Sequence, residues 1–452
     1  MAKKSDYTIS SNMVENYLTK AGIPFSDKTT LSWNLTVGME IEIFLAVKHA
    51  GKFKMLTHEK VRDTILYELA ISLGKKFCND NPVCPIINED GTFKFVDIEY
   101  WTSIIELGTP PSETISQQEY YYHIMMQYLI KICAKYGVYP MAVSTPVNKQ
   151  RGWRRSNHER YIGLKKILGN VLNNFKIAGT QSQVFIPNED IRVRHTRPAM
   201  NIGPIFTALT ASSPIFMGEY QHKMACRYSK WRRFPRTDIP QDEVNLSNAS
   251  GFRKYLANIL DVVEAKVPGF LTKTHDGQDV PDPLQNASRV YWAPVRPNQT
   301  HRTGEARSAE TTPYIADSVA MAAMYRAFVR YIIRHPEYEM MDRSILKHNI
   351  KEAETNGMEG IFYNEHGEKI SFDTYLAEFL ELIYDDAVAL GDWDFIYSQT
   401  RVIQERGTAS DKLIEIWKKH AEEGNTEAAQ QTCMAWLIKE TKKEAYLPCK
   451  LS

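Results

Sequence analysis

Alternating glutamates are the feature that most constrains how this chain can fold. Residues 38–43 read Gly-Met-Glu-Ile-Glu-Ile, and this alternation of polar and apolar residues predicts a β-strand over 35–47. Successive side chains of a strand point to opposite faces, so Glu40 and Glu42 share one face and the apolar residues share the other. Carboxylates held side by side repel each other unless a cation lies between them, and oxygen ligands suit Mg²⁺.

Other predicted strands carry polar residues in a similar way: Glu106 within 101–107, Gln181 and Gln183 within 179–186, and Glu305 and Arg307 within 304–307. An unpaired carboxylate is costly to bury, so Glu106 in its apolar run needs a partner. Each segment alone is compatible with a half-exposed strand or a surface ion pair. Together they favour a metal or metal–nucleotide site on one face of a sheet.

Composition excludes some classes of protein. The chain has 452 residues, 43% of them hydrophobic, so it can bury a large core, and its net charge of +1 argues against nucleic-acid or membrane partners. The first residues have no apolar run of the kind a secretion signal needs. Six cysteines without a CxxC motif favour reduced thiols in a cytoplasmic protein over disulfides.

Strands predominate in the first two-thirds and helices in the last third, which predicts an α+β fold. We expect an N-terminal lead-in over 1–32, a catalytic domain over 33–335, and a helical part over 336–452 that packs on the same domain. The region 219–310 is rich in turn signals and is predicted to be loop-rich. Long loops in compact proteins are often lids or binding segments.

A basic and aromatic run follows Cys226 and includes Trp231, Arg232 and Arg233. It is compatible with a solvated loop or a nucleic-acid patch, but the neutral total charge disfavours the latter. We favour binding of a nucleotide's polyphosphate, because guanidinium groups match phosphate oxygens. The chain has no Walker A and no G-x-G-x-x-G motif, so an ATP site must be of another type.

The motifs occur in a specific order along the chain: Gly-Met-Glu-Ile-Glu (38–42), Glu-Leu-Gly-Thr-Pro-Pro (106–111), Glu-Arg-Tyr (159–161), Gly-x-Gln-x-Gln-Val (179–184), Ala-Ser-Ser-Pro-Ile-Phe-x-Gly (211–218), Arg-Tyr-Ser-Lys-Trp-Arg-Arg-Phe-Pro-Arg-Thr (227–237) and Gly-Glu-x-Arg (304–307). In this order they resemble the carboxylate–amine ligases of the second glutamate–cysteine ligase family, which is related in fold to glutamine synthetase. The resemblance runs from about 33 to 335 and continues more weakly towards 425.

The resemblance implies a curved antiparallel sheet, shaped as a bowl and flanked by helices. It also implies an ATP- and Mg²⁺-dependent ligase that activates a glutamate-like carboxylate as an acyl phosphate and joins it to an amine, and such a protein could be a homo-oligomer. The roles carried over are catalytic for Arg307 and Arg227, nucleotide-binding for Arg232, Arg233 and Trp231, metal-binding for Glu40, Glu42, Glu106, Glu305 and Gln183, and substrate-binding for Gln181, Arg160 and Tyr161.

The chain departs from the family's pattern at three positions. The family usually shows Gly-x-His-x-His-Val where this chain has Gln181 and Gln183, and its acidic residue after Glu-x-Arg is here Glu310 rather than Asp. A glutamine oxygen can bind Mg²⁺ but cannot exchange a proton near neutral pH. The alternatives are therefore an unusual substrate pair or a catalytically impaired nucleotide-binding scaffold, and a metallohydrolase that uses the same carboxylates is a weaker third.

Overall fold

A computed structural model describes residues 8–9, 33–77, 95–150, 152–157, 159–169, 172, 175–232, 248–273, 279–280, 282–288 and 293–449. The predicted lead-in 1–32 lies outside these residues except for positions 8 and 9. Most of the predicted catalytic domain and nearly all of the helical part are described.

The strands of the described residues are β1 (Thr8–Ile9), β2 (Trp33–Asn34), β3 (Val37–His49), β4 (Lys52–Met55), β5 (Val96–Ile98), β6 (Ile104–Gly108), β7 (Val138–Met141), β8 (Thr180–Phe185), β9 (Ile215–Phe216), β10 (Glu219–Tyr220), β11 (Val295–Asn298), β12 (Thr303–Ala306), β13 (Ile361–Tyr363) and β14 (Lys369–Ser371). The predicted strand 35–47 is β3, and its 13 residues make it the longest strand described.

Eight of these strands form one open antiparallel sheet. Its order is β11-β12-β8-β3-β6-β5, and β4 and β7 pair with the second half of β3. Strand β3 therefore runs through the middle of the sheet and pairs with four other strands. The first half of β3 pairs with β8 and β6, whereas the second half pairs with β4 and β7.

The helices of the described residues are Glu59–Phe77, Ile115–Lys135, Glu159–Leu168, Glu189–Arg194, Thr196–Ala199, Gly203–Leu209, Arg227–Arg232, Ala249–Lys266, Pro283–Ser288, Ile315–Arg334, Arg343–Asn356, Phe372–Leu390, Trp393–Arg406, Ala409–Glu422 and Thr426–Ala445, with 3₁₀ turns at Met200–Ile202 and Gly357–Glu359. In the described part of the chain, each helix is too short or too polar to span a bilayer.

One face of the sheet is covered by helices. The apolar residues of β3, such as Ile41 and Ile43, are fully buried in the largest core cluster. The helices Ile115–Lys135 and Ile315–Arg334 contribute to the same cluster, and the second is buried on nearly all sides. Packing of these helices against the sheet holds its strands in position.

The other face of the sheet is apolar at one end only. Phe44 and Ala46 of β3 lie there in a second core cluster, together with Ile104 of β6. The C-terminal helices Ala409–Glu422 and Thr426–Ala445 contribute Leu413 and Met434, among others, to the same cluster. The C-terminal part therefore packs directly on the sheet, and the α+β fold with a helical C-terminal region is confirmed. The boundary at 335 stays a prediction.

The region 219–310 contains more helix than its sequence predicted. Ala249–Lys266 is an 18-residue helix whose N-terminus is capped by Asn248, which accepts a hydrogen bond from the Gly251 N–H. Its apolar residues at helical spacing, among them Phe252 and Leu256, form a small core of their own. The prediction of a loop-rich region did not include this helix, because turn signals on both sides of 249–266 obscured its periodicity.

Candidate functional site

Strand pairing brings the predicted polar residues onto one face of the sheet. Glu42 of β3 lies opposite Glu106 of β6, and Glu40 lies opposite Gln181 of β8. Gln183 in turn lies opposite Glu305 of β12. Directly paired residues of antiparallel strands share a face. We call the carboxylates of Glu40, Glu42, Glu106 and Glu305 the acidic half of this face.

A fifth carboxylate joins one end of the acidic half. Oxygen atoms of Glu42, Glu99 and Glu106 all lie within 4.8 Å of one another, which is a spacing at which one cation can bind all three. Glu99 follows β5, whose Asp97 pairs with Glu106. Its two-residue spacing from Asp97 is the signal that could have identified Glu99 from the sequence, but the strand register was needed to interpret it.

Gln183 connects two strands of the acidic half. Its Oε1 accepts a hydrogen bond of 2.7 Å from the Thr303 hydroxyl, and its Nε2 donates to Glu40 Oε1. Thr303 therefore fixes the direction of the amide. The Gln183 amide oxygen lies towards β12, and the Gln183 N–H₂ group lies among the carboxylates.

Gln181 lies between three carboxylates. In the orientation that satisfies its amide group, the nitrogen donates to Glu305 Oε1 at 2.6 Å and to Glu40 Oε2 at 3.1 Å. In the opposite orientation it donates to Glu42 Oε1 at 3.3 Å. The two glutamines thus supply neutral N–H donors between negative groups. Binding of Mg²⁺ through an amide oxygen requires the amide group to flip, so that the oxygen and nitrogen exchange places.

Glu305 is fixed more firmly than the other carboxylates. Its Oε2 accepts hydrogen bonds from Arg296 Nε at 2.6 Å and from Asn298 Nδ2 at 2.9 Å, and Arg307 Nε lies 3.3 Å from Oε1. Burial raises the pKa of Glu305, but the charges of Arg296 and Arg307 lower it more, so that it lies below 4.5. Glu305 is therefore ionised near neutral pH. Sequence reasoning missed Arg296 and Asn298, which the pairing of β11 with β12 brings to this position.

The other carboxylates are held at a higher pKa. Burial, followed by the nearby charge of Glu305, raises the pKa of Glu40 from 4.5 to about 7. Burial raises the pKa of Glu42 and raises that of Glu106 well above 4.5, with Glu40 and Glu99 adding to the effect at Glu106. A divalent cation among these groups would relieve their mutual repulsion and favour the ionised forms.

Two buried guanidinium groups lie beside the acidic half. Arg227 begins the helix Arg227–Arg232, is 5% exposed, and donates from Nη1 to the Arg307 carbonyl oxygen at 2.8 Å. Burial lowers the pKa of Arg227, and burial with the charge of Arg296 lowers that of Arg307 to about 10. Arg227 passes so close to Gly179 that a Cβ there would lie 2.0 Å from Nη2, so this position requires glycine.

Glu310 anchors the start of the helix that carries Arg227. Its Oε2 accepts a 2.6 Å hydrogen bond from the Ser212 N–H, and its Oε1 accepts from the Ser213 hydroxyl and, at 3.2 Å, from the Arg227 N–H. Burial raises the pKa of Glu310 to about 7 despite these donors. Glu310, which stands where the family pattern has the shorter Asp, therefore holds Arg227 at the Arg227 backbone N–H.

A sequence model described as "Glutamate-cysteine ligase family 2 (GCS2)" matches residues 36–434, which is most of the chain and includes every residue of the acidic half. The chain belongs to this family. The resemblance seen in the ordered motifs is thereby confirmed, and the match extends into the C-terminal helices that cover the apolar end of the sheet, ending within Thr426–Ala445.

Individual relatives are distant. The chain is 23% identical over 354 residues to a protein of Jannaschia sp., covering 76% of this chain and 86% of the relative. It is 24% identical over 334 residues to a protein of Rhodospirillum rubrum, covering 73% and 80%. Both relatives are named, provisionally, glutamate–cysteine ligase 2.

The fold is shared with a solved protein. A crystal structure of glutamate–cysteine ligase from Francisella tularensis in complex with AMP matches with a TM-score of 0.59 and 15% identity, covering 92% of this chain and 90% of that one. At this identity the likeness shows the fold alone. The open sheet with a helical C-terminal region is therefore the architecture of a glutamate–cysteine ligase.

Tyr161, a predicted substrate residue, is buried beside the segment that follows β5. It is 4% exposed, and its hydroxyl donates a 2.5 Å hydrogen bond to the Ile98 carbonyl oxygen. Its ring packs edge-on against Tyr100 in the second core cluster. These contacts account for its burial, and its role towards substrate stays a prediction.

The remaining family-derived residues lie on two helices or outside the described residues. Arg160 is on the helix Glu159–Leu168, and Trp231 and Arg232 end the helix that begins at Arg227. Arg233 lies outside the described residues. Their nucleotide- and substrate-binding roles stay predictions.

Proposed function

We propose that this protein is an ATP- and Mg²⁺-dependent ligase that joins a glutamate-like carboxylate to an amine through an acyl phosphate. The observation that carries the proposal is the acidic half itself, with two buried guanidinium groups beside it on one face of the sheet. Family membership and the names of the relatives support the substrate class. The cytoplasm, which contains ATP and free amino acids, is the proposed compartment.

The residues fit a pair of Mg²⁺ sites. Glu42, Glu99 and Glu106 would hold one ion, because their oxygen atoms already lie within 4.8 Å of one another. Glu40 and Glu305 would hold a second, with an amide oxygen of Gln181 or Gln183 as a neutral ligand. The raised pKa of the carboxylates without a cation supports the same assignment. Bound Mg²⁺ would neutralise phosphate charge and orient the terminal phosphate.

Arg307 and Arg227 suit the transfer of that phosphate. In such a transfer the substrate carboxylate oxygen attacks the γ-phosphorus and ADP leaves, with negative charge spread over the phosphoryl oxygens. Both guanidinium groups are buried and positioned in advance, Arg227 by its bond to the Arg307 carbonyl and by the Glu310 anchor. Charges that are fixed in position before the reaction stabilise such a transition state most effectively.

The amine must reach the acyl phosphate already deprotonated. The attacking nitrogen forms the amide bond as inorganic phosphate leaves, and an ammonium ion has no lone pair for this step. Gln181 and Gln183 have no proton to exchange near neutral pH, so they cannot serve as the base. This property separates the chain from members of its family that carry histidines at these positions.

A polar cavity of about 460 Å³ offers a place for the rest of the nucleotide. It lies at the turn between β11 and β12 and is lined by Arg192, Gln299, Thr300 and Arg302. Arg192 Nη2 donates to Gln299 Oε1 at 2.7 Å, whereas the buried Gln299 Nε2 and Thr300 hydroxyl have no hydrogen-bond partner among the described residues. Such donors would suit the hydroxyl groups of a ribose.

The proposal is tested by incubating the protein with ATP, Mg²⁺, glutamate and a set of amines, cysteine included. We expect ADP to form in equal amount to the amide product, and only when both substrates and Mg²⁺ are present. Absence of substrate-dependent ADP with every pair would count against a ligase.

The glutamine pair supports a second candidate, a nucleotide-binding scaffold without turnover. Both amides already act as neutral donors to the carboxylates, which is an arrangement that needs no proton transfer. Titration calorimetry separates the two candidates. Tight binding of Mg²⁺·ATP with no ADP formation would favour the scaffold.

A further inference from the structure

Aromatic side chains line an exposed groove between two helices of the C-terminal part. The helices are Phe372–Leu390 and Trp393–Arg406, and the groove has a volume of about 410 Å³. The ring of Trp393 meets that of Tyr384 edge to face with centroids 4.7 Å apart, and it stacks on that of Tyr397 with centroids 5.7 Å apart. The two tyrosines are 46% and 52% exposed. Exposed aromatic rings that contact one another are typical of protein–protein interfaces.

Two carboxylates at the groove carry negative charge. Glu381 and Asp385 line the groove one helical turn apart, both exposed, and neither forms an ion pair within the described part of the chain. Like charges at this spacing oppose helix formation, so the arrangement is unfavourable in the molecule alone. A cation beside them would remove the repulsion, and the aromatic rings would stabilise the same cation. We call Glu381, Tyr384, Asp385, Trp393 and Tyr397 the acidic–aromatic groove.

A second pair of helices presents a surface of the opposite charge. Lys76 is in the last turn of Glu59–Phe77, and its Nζ lies 5.9 Å from the ring centroid of Tyr120 on Ile115–Lys135. Tyr120 is 40% exposed. This surface therefore also combines an exposed ring with charge, but the charge is positive.

The positive charge continues along the second of these helices. Lys131 follows Tyr120 by eleven residues, which is close to three helical turns, so the two share a face. Lys135 lies one turn further, where it pairs with Glu68 at 2.6 Å, whereas Lys131 has no ion-pair partner among the described residues. We call Lys76, Tyr120, Lys131 and Lys135 the basic–aromatic face.

A buried helix separates the groove from the face. Ile115–Lys135 packs against one side of Ile315–Arg334, and both helices of the groove also pack against Ile315–Arg334. The groove of one molecule therefore cannot reach the face of the same molecule. Contact between the two surfaces requires two copies of the chain.

We propose that the acidic–aromatic groove of one copy binds the basic–aromatic face of a second copy, so that the chain forms a head-to-tail oligomer. Opposite charges attract the two surfaces, and their aromatic rings supply contact area of the kind that dominates interface energies. A groove packed on a second groove would instead bring carboxylates against carboxylates. Because the two surfaces differ, a bound pair keeps one of each free, and association continues until a ring closes or a filament grows. The inference is independent of the proposed ligase function.

Sedimentation velocity of the full chain, at several concentrations and at low and high salt, measures this association. Two variants reverse one surface each: Glu381→Lys with Asp385→Lys in the groove, and Lys76→Glu with Lys131→Glu on the face. A third variant carries all four substitutions, which restores opposite charges with their signs exchanged. We expect the wild type to be an oligomer that dissociates with added salt, each two-residue variant to be a monomer, and the four-residue variant to be an oligomer again.

Lys418→Glu is the matched control. It reverses one exposed lysine on Ala409–Glu422, a helix that belongs to neither surface, and it should sediment as the wild type does. Thermal melts followed by circular dichroism show that each variant is folded. A wild type that stays monomeric at every concentration would overturn the inference, as would an oligomer that survives reversal of either surface. A folded four-residue variant that remains monomeric would show that the groove and the face do not meet, and would overturn it as well.

Discussion

The two halves of one sheet face differ completely, although a single strand runs through both. On β3, Glu40 and Glu42 are followed on the same face by Phe44 and Ala46. The first pair faces carboxylates and amides of neighbouring strands, whereas the second pair is buried under C-terminal helices such as Thr426–Ala445. We call the second pair and its cluster the apolar half.

Strand β3 therefore contributes to stability through its apolar half and to the proposed reaction through its acidic half. The apolar half attaches the C-terminal helices to the sheet and fixes the register of β3. The acidic half gathers like charges that the apolar half must hold in place, because their repulsion and burial oppose folding. Each half can be perturbed separately, so activity and stability should respond to different substitutions.

The largest effect is expected in the acidic half. Glu106→Gln removes a carboxylate whose charged neighbours among the described residues include Glu40, Glu42, Asp97 and Glu99, so we expect ADP formation to fall by about 10²-fold or more. Because the pKa of Glu106 is raised by burial and by Glu40, the neutral amide should also increase the free energy of unfolding at pH 8 without Mg²⁺. Enzyme assays and urea denaturation measure the two effects.

Glu113→Gln, at an exposed position, is the control for this substitution and should change neither quantity. A Glu106→Gln protein that keeps full activity would show that the acidic half takes no part in catalysis. A Glu106→Gln protein with a lower free energy of unfolding would show that the Glu106 carboxylate stabilises the folded state, which contradicts its raised pKa.

A substitution in the apolar half should have the opposite profile. Met434 is fully buried against this half, so Met434→Ala should lower the free energy of unfolding by about 2–4 kcal/mol through the cavity it leaves. Activity per folded molecule should stay within about twofold of the wild type, since the residue touches no carboxylate. Loss of activity without loss of stability would break the separation between the halves.

The pH dependence of stability should differ with and without Mg²⁺. The folded pKa of Glu40 is about 7 against 4.5 for an unperturbed carboxyl, and that of Glu106 is also raised. The folded state then binds more protons, so their contribution to stability is present below pH 4.5 and is lost as the pH rises through about 7. Thermal melts without Mg²⁺ should show this decline, and saturating Mg²⁺ should reduce it. Identical profiles would argue against cation binding at these groups.

A smaller effect is expected from the hydroxyl that orients Gln183. Thr303→Val removes the 2.7 Å hydrogen bond to Gln183 Oε1 and leaves the amide free to turn. Because Thr303 holds the Gln183 oxygen away from the carboxylates, its loss should make that oxygen available to Mg²⁺ and raise Mg²⁺ affinity by about tenfold, the lower end of the effects typical of groups that orient a metal ligand. The concentration of Mg²⁺ at half-maximal activity measures this change. An unchanged value would remove Gln183 from the proposed ligands.

Local sequence pattern predicted part of the acidic half. The two-residue alternation was sufficient to place Glu40 and Glu42 on one face, because the period of a strand is fixed by its geometry. The ordered motifs then identified Glu106 and Glu305 by resemblance. Glu106 lies opposite Glu42 of β3, and Glu305 lies opposite Gln183 of β8. Both pairs join residues more than 60 positions apart in the chain, and no local pattern determines that register.

The site residues that the sequence did not predict are those that strand register alone brings to the site. Glu99 reaches the carboxylates because β5 pairs with β6, and Arg296 reaches Glu305 because β11 pairs with β12.

Trapping of the acyl phosphate tests the central claim most directly. The wild type is incubated with Mg²⁺, ATP, glutamate and hydroxylamine, and both the γ-glutamyl hydroxamate and ADP are measured. We expect equal amounts of the two products in the wild type and neither in Glu106→Gln. Tight binding of Mg²⁺·ATP without hydroxamate, with glutamate and with other carboxylates, would contradict the claim that the acidic half activates a carboxylate.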